Sequence, residues 1–340
     1  MRKPRPTIYD VARLASVSTA TVSRALNGTG QIAPATQRAI EAAVDQLGYH
    51  PNTAARSLVT RSSQTIAVLL PDITNPFYAT LVSGVQERAL EAGHTILLCT
   101  TEGDPDREDA YLRLLRAKQV DGVLVDGLVL PPARITRFVR DGLPIVCLDR
   151  DIDSTLVPLV QVNNRRGARL ATEHLLSLGH RRVAHVSGAP ELRISEERVA
   201  GYTDAHNAFG YAVDPELVAV GGFTEEGGYG ATEELLREAK YPFTAVFAAN
   251  DLSAVGVISA LTEAGLRVPQ DVSVVGFDGL RLSRFTTPAL TTVRQPAAEI
   301  ARHATELLLE LAAGRPVEQM RTLLEPELVV RASTKLLDTL

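Results

Sequence analysis

The sequence predicts an all-α head followed by an α/β body of two doubly wound lobes. Three observations carry this. Residues 7–27 read as two short amphipathic helices around a tight turn. From Gln64 onward, apolar runs of strand length alternate with helical segments. Those helical segments are too many for one open sheet, and 340 residues exceed one ordinary domain.

In the head, Thr7 suits the N-cap of a first helix, and Asp10 falls in its first turn, where negative charge complements the helix dipole. Ile8, Val11, Ala12 and Ala15 share one face by i, i+3, i+4 spacing. Ser16-Val17-Ser18 breaks the pattern, and Val17 is apolar enough to plug the gap between helices. A second helix starts near Ser18 and turns Val22, Ala25 and Leu26 inward. Its outward set is Ser18, Thr19, Ala20, Thr21, Ser23 and Arg24. A helix so trimmed can enter a DNA major groove closely, its hydroxyls and Arg24 reaching base edges or phosphates. The plainer alternative is a generic α-hairpin with a polar face. A third amphipathic segment, about 35–47, closes the head and stops at Gly48.

Pro51 and Asn52 can then start a short helix, too short to be stable alone in water. It carries small residues and one large apolar side chain, Leu58. Two readings stay open: a plain linker, or a segment that folds only when docked, with Leu58 as a wedge.

The body begins at Gln64. Apolar runs at 66–70, 95–99, 122–125, 145–148, 183–186, 246–248 and 272–275 read as buried parallel strands. Helical segments fall at about 77–92, 105–118, 132–141, 164–178, 197–210, 226–239, 251–264 and 296–313. Right-handed crossovers between parallel strands give doubly wound sheets, two side by side. Open sheets of this kind bind ligands at the carboxyl ends of their strands, and two facing lobes make a cleft there.

Charge divides the chain in the same place. Residues 1–63 hold eight Lys/Arg, Arg2, Lys3 and Arg5 among them, against three acids, a net of +5. The whole chain is −5. A basic head on an acidic body suits a head that meets a polyanion. Its modest charge implies strongly salt-dependent binding that needs two heads. Two cysteines, Cys99 and Cys147, form no disulfide framework and fit a reducing cytosol. No apolar leader follows Met1 and no run approaches the ~18 apolar residues of a membrane span, so a cytoplasmic protein with no membrane contact is expected.

The predicted strand ends carry polar or aromatic groups where turn residues are usual. Phe77 and Tyr78 follow the first strand, and Asp149 with Arg150 follows the fourth. A loop with Arg193, then Glu196, Glu197 and Arg198, follows the fifth. Phe223 comes after Gly221-Gly222, Asn250-Asp251 after Ala249, and Asp278 after Phe277. Asp, Asn and Arg bond adjacent hydroxyls in pairs, and an aromatic face covers an apolar sugar or base face. Each alone reads as a cap or a loop ion pair; together, at equivalent topological positions, they read as a ligand site. Catalytic alternatives are thin. The run Gly227-Gly228-Tyr229-Gly230 does not fit the dinucleotide fingerprint, and no phosphate-loop Gly-Lys-Ser/Thr occurs. His174, His180 and His185 are spaced poorly for one metal. Neither metal nor cofactor is expected.

Over essentially its whole length the chain resembles the LacI/GalR family of bacterial transcription regulators. The residues that carry the resemblance are T-I-Y-D-V-A-R-L-A-S-V-S-T-A-T-V-S-R-A-L-N-G at 7–28, G-Y-H-P-N-T-A-A-R-S-L at 48–58 and N-P-F-Y at 75–78. V-D-G-V-L at 120–124, G-H-R-R-V-A at 179–184, A-N-D at 249–251, L-R-V-P-Q-D-V-S-V-V-G-F-D at 266–278 and P-A-L-T-T-V-R-Q-P at 288–296 complete the set.

The resemblance implies a homodimer whose heads, 1–51, each place the second helix in a major groove of a near-palindromic operator. Family base-reading positions fall on Ser18, Thr19, Ala20 and Arg24. The wider DNA-facing set implied is Thr7, Tyr9, Thr21, Ser23, Asn27, Asn52, Ala55 and Leu58. Residues 52–63 match the hinge and its linker, with Leu58 inserting into the minor groove at the operator centre and kinking it. Residues 64–340 look like a periplasmic-binding-protein fold that closes on a small-molecule effector. One lobe is expected to comprise about 64–162 and 294–324, the other about 163–293 and 325–340. Effector positions fall on Phe77, Tyr78, Asp149, Arg193, Arg198, Phe223, Asn250 and Asp278.

Two departures narrow the ligand. Arg150 replaces an aromatic found in a purine-binding branch of the family, and that branch's second Arg aligns with Leu192. Both weigh against a purine or nucleoside, which stays the runner-up to a sugar. Val59 stands where some relatives have a base-contacting Lys, and about nine residues after Arg331 are too few for a tetramerising tail. A solute-binding protein shares the body fold but not the basic head, and an α/β enzyme needs a nucleophile or base that no motif nominates.

Overall fold

The computed structural model describes residues 6–27, 31–49, 62–127, 130–149, 152, 155–238 and 242–337. The chain forms two compact units, Met1–Ser63 and Gln64–Leu340. Arg2, Lys3, Arg5, Asn52, Ala55, Leu58, Val59, Arg150 and the side chain of Asn27 lie outside the described residues.

In the first unit, α1 (Ile8–Leu14), α2 (Thr19–Asn27) and α3 (Pro34–Leu47) enclose a core of Val11, Ala12, Val22, Ile40, Ala43 and Tyr49. Thr7 caps α1: its backbone N–H and its hydroxyl both donate to Asp10 Oδ2, at 2.9 and 2.7 Å. Val17 packs against the core between α1 and α2, and the chain turns there through Ser16 at φ 54°. Helix α3 stops at Gly48 in the left-handed region, where Tyr49 N–H returns to the Val44 carbonyl at 3.0 Å.

The second unit holds two six-stranded sheets. The first is built from β1 (Thr65–Leu70), β2 (Thr95–Thr100), β3 (Gly122–Asp126), β4 (Ile145–Leu148), β5 (Leu159–Val162) and β11 (Arg321–Leu324), in the order β11-β5-β4-β3-β1-β2. The second is built from β6 (Val183–Ser187), β7 (Val218–Val220), β8 (Ala245–Ala248), β9 (Ser273–Asp278), β10 (Thr291–Arg294) and β12 (Glu327–Val329), in the order β12-β10-β9-β8-β6-β7. All pairings are parallel except β10 with β12.

Helices cover both faces of each sheet: α4 (Pro76–Glu91), α5 (Pro105–Ala117), α6 (Pro132–Arg140), α7 (Asn164–Ser177), α8 (Arg193–Ala208), α9 (Glu225–Glu238), α10 (Asp251–Glu263) and α11 (Ala297–Ala312). That double covering is why the strands read as unbroken apolar runs. Along β1, Ile66, Val68 and Leu70 enter one core and Ala67 and Leu69 the opposite one. The second sheet repeats the arrangement, with Val186, Val246 and Val274 on one face and Val183, Phe247 and Val275 on the other.

The chain passes between the sheets three times, at Asn163, at Gln295-Pro296 and at Glu325-Pro326. Helix α11, which follows β10 of the second sheet, buries Ile300, Ala301, Ala304 and Leu308 in the core of the first. The structure departs from the sequence reading in two respects. Strands β5, β7, β10, β11 and β12 were not anticipated, and α8 begins at Arg193, so that Arg193 lies in the first helical turn and not in a loop.

Candidate functional site

In the head, α2 buries Val22 and leaves Ser18, Ala20 and Arg24 exposed, with Thr19, Thr21 and Ser23 half-buried. Ser18 accepts the Thr21 N–H at 3.1 Å, and the two hydroxyls lie 2.8 Å apart. The cap therefore rigidifies the helix end that the sequence assigns to DNA. Arg24 reaches back to the Ala20 carbonyl at 3.4 Å, and Tyr9 is 69% exposed. A Tyr left this open on so small a domain stands ready for a partner surface.

In the body, the carboxyl ends of the two sheets bring one set of groups together. Tyr78 lies within Coulombic reach of Asp126, Asp149, Asp278 and Arg198. Tyr78, Asp126 and Asp149 come from the first lobe, and Arg198 and Asp278 from the second. These groups define the cleft.

Arg198, on α8, is 3% exposed. Its Nε and Nη2 donate to Asn164 Oδ1 at 3.0 and 2.9 Å, and its Nη1 to the Ala249 carbonyl at 2.6 Å. The guanidinium carbon lies 3.7 Å over the Phe277 ring and 5.6 Å from that of Phe223. Among the described residues, three of its five N–H donors are thus engaged. Burial pulls the guanidinium below its usual pKa, while Asp278 and Asp149 pull it back up.

Asp278 ends β9 at φ 108°, an unusual angle for a residue with a side chain. Gln295 Nε2 donates to its Oδ1 at 2.7 Å. Gly279 follows at φ 70°, and a Cβ there would meet the Arg294 backbone at 2.6 Å, so the turn that aims Asp278 requires glycine. Burial pushes Asp278 up to about 6 against the lowering pull of Arg198. Asp149, at φ 50°, accepts the Val162 N–H at 2.8 Å and is likewise pushed up to about 6, mainly by burial.

The remaining sequence candidates have distinct places. Asn250 caps α10: its Oδ1 accepts the Ser253 N–H at 2.8 Å and its Nδ2 donates to the Phe223 carbonyl at 3.0 Å. It holds the Phe223 loop and keeps one N–H free. Phe223 is half-buried, and Gly188 leaves room for it, since a Cβ there would fall 2.2 Å from the ring. Phe77 is 8% exposed and packs in the first lobe's core, edge-on to Tyr78 at 5.4 Å between centroids. Arg193 is exposed and bonds Glu197 at 3.0 Å.

Asp126, which sequence reasoning passed over, and Asp251, which it named only beside Asn250, belong to the same web. Asp126, ending β3, is 7% exposed, and its carboxyl lies well above the usual range because it is buried and faces Asp149. Asp251, fully buried, accepts the Thr292 hydroxyl at 2.5 Å and the Leu280 N–H at 2.7 Å. Burial, with Asp278 nearby, raises Asp251 to about 8. The signal for Asp126 was present as a strand-ending Val-Asp-Gly, but it repeats the turn-like Val-Asp-Gly at 120–122. Among the described residues, no group of three or more His, Cys, Asp or Glu is placed to hold a metal, and no helix is long and apolar enough to cross a membrane.

A helix-turn-helix head followed by a two-lobed body with a polar cleft defines a ligand-responsive, DNA-binding regulator of transcription. Comparison with known proteins agrees. Residues 7–52 match the family model of bacterial regulatory proteins of the lacI family, and residues 172–334 match that of the periplasmic binding protein-like domain. The HTH-type transcriptional repressor PurR of Aliivibrio fischeri (strain MJ11) is 38% identical over 330 residues, covering 96% of this chain and 98% of that protein. The lac repressor dimer bound to operator and the anti-inducer ONPF superposes with a TM-score of 0.88 at 29% identity, over 98% of this chain and 100% of that one. The transcriptional regulator CelR in complex with cellobiose gives a TM-score of 0.74 at 35% identity, over 97% and 100%. The chain belongs to the lacI family of bacterial regulatory proteins.

Proposed function

We propose that this protein is a cytoplasmic, dimeric repressor without catalytic activity, released from its operator by a small sugar or sugar derivative. Residues 1–51 bind DNA, 52–63 form the hinge, and 64–340 bind ligand and pair the subunits. The observation that carries the ligand class is the convergence of Arg198, Asp278 and Asp149 from two lobes beside Phe223. Charged hydrogen-bonding groups beside an aromatic face match adjacent hydroxyls on a ring. The CelR relative, solved with cellobiose, supports the same class. The second reading, a purine or nucleoside, draws on the PurR relative. The departures at Arg150 and Leu192 argue against it.

The test is operator binding by fluorescence anisotropy across a salt series, with and without each member of a panel of sugars and nucleosides. Operator sites are first selected from a random duplex pool by the full-length protein. A sugar that weakens operator binding by roughly 5- to 150-fold is expected, the usual span of an allosteric coupling. Tightening reverses the sign, and a nucleoside as the effective ligand replaces the sugar reading. Arg24→Ala should cost about 1–3 kcal/mol of operator binding if Arg24 reads a base. Unchanged binding at matched salt removes that assignment.

A further inference from the structure

Two charged groups of the second lobe, Arg198 and Asp278, are each held by an amide side chain from a passage between the sheets. Arg198 donates through Nε and Nη2 to Asn164 Oδ1, at 3.0 and 2.9 Å, and Asn164 directly follows the first passage at Asn163. Gln295, at the second passage, donates through Nε2 to Asp278 Oδ1 at 2.7 Å. The third passage is fastened to the first: Asn163 Nδ2 donates to Glu325 Oε1, and Arg166 Nε meets Glu325 Oε2, both at 3.0 Å.

Asn164 does more than hold Arg198. It is 1% exposed, and its Nδ2 donates to the Val162 carbonyl at 3.2 Å. The N–H of Val162 in turn donates to Asp149 Oδ1 at 2.8 Å. One hydrogen-bonded chain therefore runs from Asp149, just past β4, through Val162 and Asn164 to Arg198, and on to the Ala249 carbonyl just past β8. It crosses from one lobe to the other at the first passage. The partners dictate how the amide is turned, since a guanidinium only donates and a carbonyl only accepts. An amide serves both, whereas a carboxylate would serve the guanidinium alone.

We infer that Asn164 is a positioning residue that couples the effector's grip on Arg198 to the bend of the chain at 162–164. This rests on the reading that a ligand in the cleft controls operator binding, and it names a residue through which that control passes between the lobes. Hinges are a few residues at the ends of elements that absorb a change in backbone angles, and 162–164 join the end of β5 to the start of α7. A ligand that draws on Arg198 pulls Asn164 Oδ1, and through Nδ2 it pulls the Val162 peptide that also holds Asp149. Ligand and lobe movement thus act on one and the same bend.

The test uses the full-length protein, its selected operator and a panel of cellobiose, glucose, ribose, adenosine and uridine. Calorimetry gives ligand affinity, and anisotropy gives operator affinity with and without saturating ligand. Asn164→Asp keeps an acceptor for Arg198 and loses the donor to Val162. Its coupling, the ratio of the two operator affinities, should fall by about threefold or more, and by a larger factor than ligand affinity falls. Coupling equal to that of wild type overturns the inference and leaves the ligand reading standing. So does a loss of ligand affinity with coupling at saturation intact, which confines Asn164 to supporting Arg198. A panel in which no member changes operator binding removes the regulatory reading of the cleft and this inference with it. Hydrogen exchange on the wild type decides the matter if the variant fails to fold. The ligand that acts should change protection across 159–168 by about threefold or more. Unchanged protection there, with 195–201 protected, overturns the inference.

Discussion

The two lobes of the body have the same strand order, yet they hold their site groups differently. In the second lobe the described hydrogen bonds tie these groups to other side chains and segments. Arg198 spans Asn164, Ala249 and Phe277; Asn250 clamps Phe223 to α10; Asp278 is fastened by Gln295 and its neighbours by Asp251. In the first lobe, among the described residues, Asp126 and Asp149 each rest on a backbone N–H. Common topology delivers groups to the strand ends; the local hydrogen bonds decide how firmly they stand. Among the described residues, the second lobe's groups are the ones held by side-chain hydrogen bonds, which fixes them in advance of any ligand.

The comparison breaks most directly at Arg198. Arg198→Ala removes the donors that Asn164 Oδ1 and the Ala249 carbonyl accept from, and takes the cation away from Asp149 and Asp278. Urea unfolding should show a loss of roughly 3–5 kcal/mol, the cost of breaking a buried charge network. A loss near zero would mean that the second lobe is no better tied than the first. Next comes Asp278→Ala, which should weaken the effector about tenfold or more while operator binding persists, since one partner of a charged hydrogen bond is worth about 1.5–3 kcal/mol. Calorimetry that finds equal affinity moves the site elsewhere.

A subtler difference is in pH. Asp278 is held at about 6 in the fold, above its ordinary 3.8, so the folded protein keeps a proton that the unfolded chain releases. Its contribution to stability is full below the unfolded value and is lost as pH rises through the folded one. Asp278→Asn should therefore gain on wild type as pH rises from about 4 to 7, read as the difference in urea midpoints. A difference that stays flat contradicts the raised value. Smallest is Asn75→Ala in the first lobe, where Asn75 Oδ1 caps α4 by accepting the Phe77 N–H at 3.0 Å. It should cost about 1 kcal/mol of stability. Because that cap presents Tyr78, the same change should lower effector affinity slightly.

The sequence exposed whatever repeats along one chain segment and hid what depends on a distant one. Runs such as Ile66 to Leu70 announced themselves because helices cover both faces of their sheets. Strands β10, β11 and β12 did not, since Thr291-Thr292-Val293-Arg294 or Glu327-Leu328-Val329 is too short and polar to stand out. They become strands by pairing with neighbours already in place. The same applies at the site. Arg198 and Asp278 were visible as odd residues at strand ends. Asn250 looked equally available, but its side chain is engaged in capping α10. Asp251 reads as its mere companion until Leu280 and Thr292 arrive from other segments to bond it.

The three passages between the sheets bear on how such proteins can be recombined. A gene fragment ending at residue 162 would encode five strands of the first sheet but neither β11 nor α11, whose Ile300 and Leu308 fill its core. Neither lobe is a continuous stretch of coding sequence, so no single crossover exchanges one lobe for a relative's. The head is continuous from its start to Ser63. Shuffling between relatives should therefore reassign which DNA is read far more readily than it rebuilds half a ligand site.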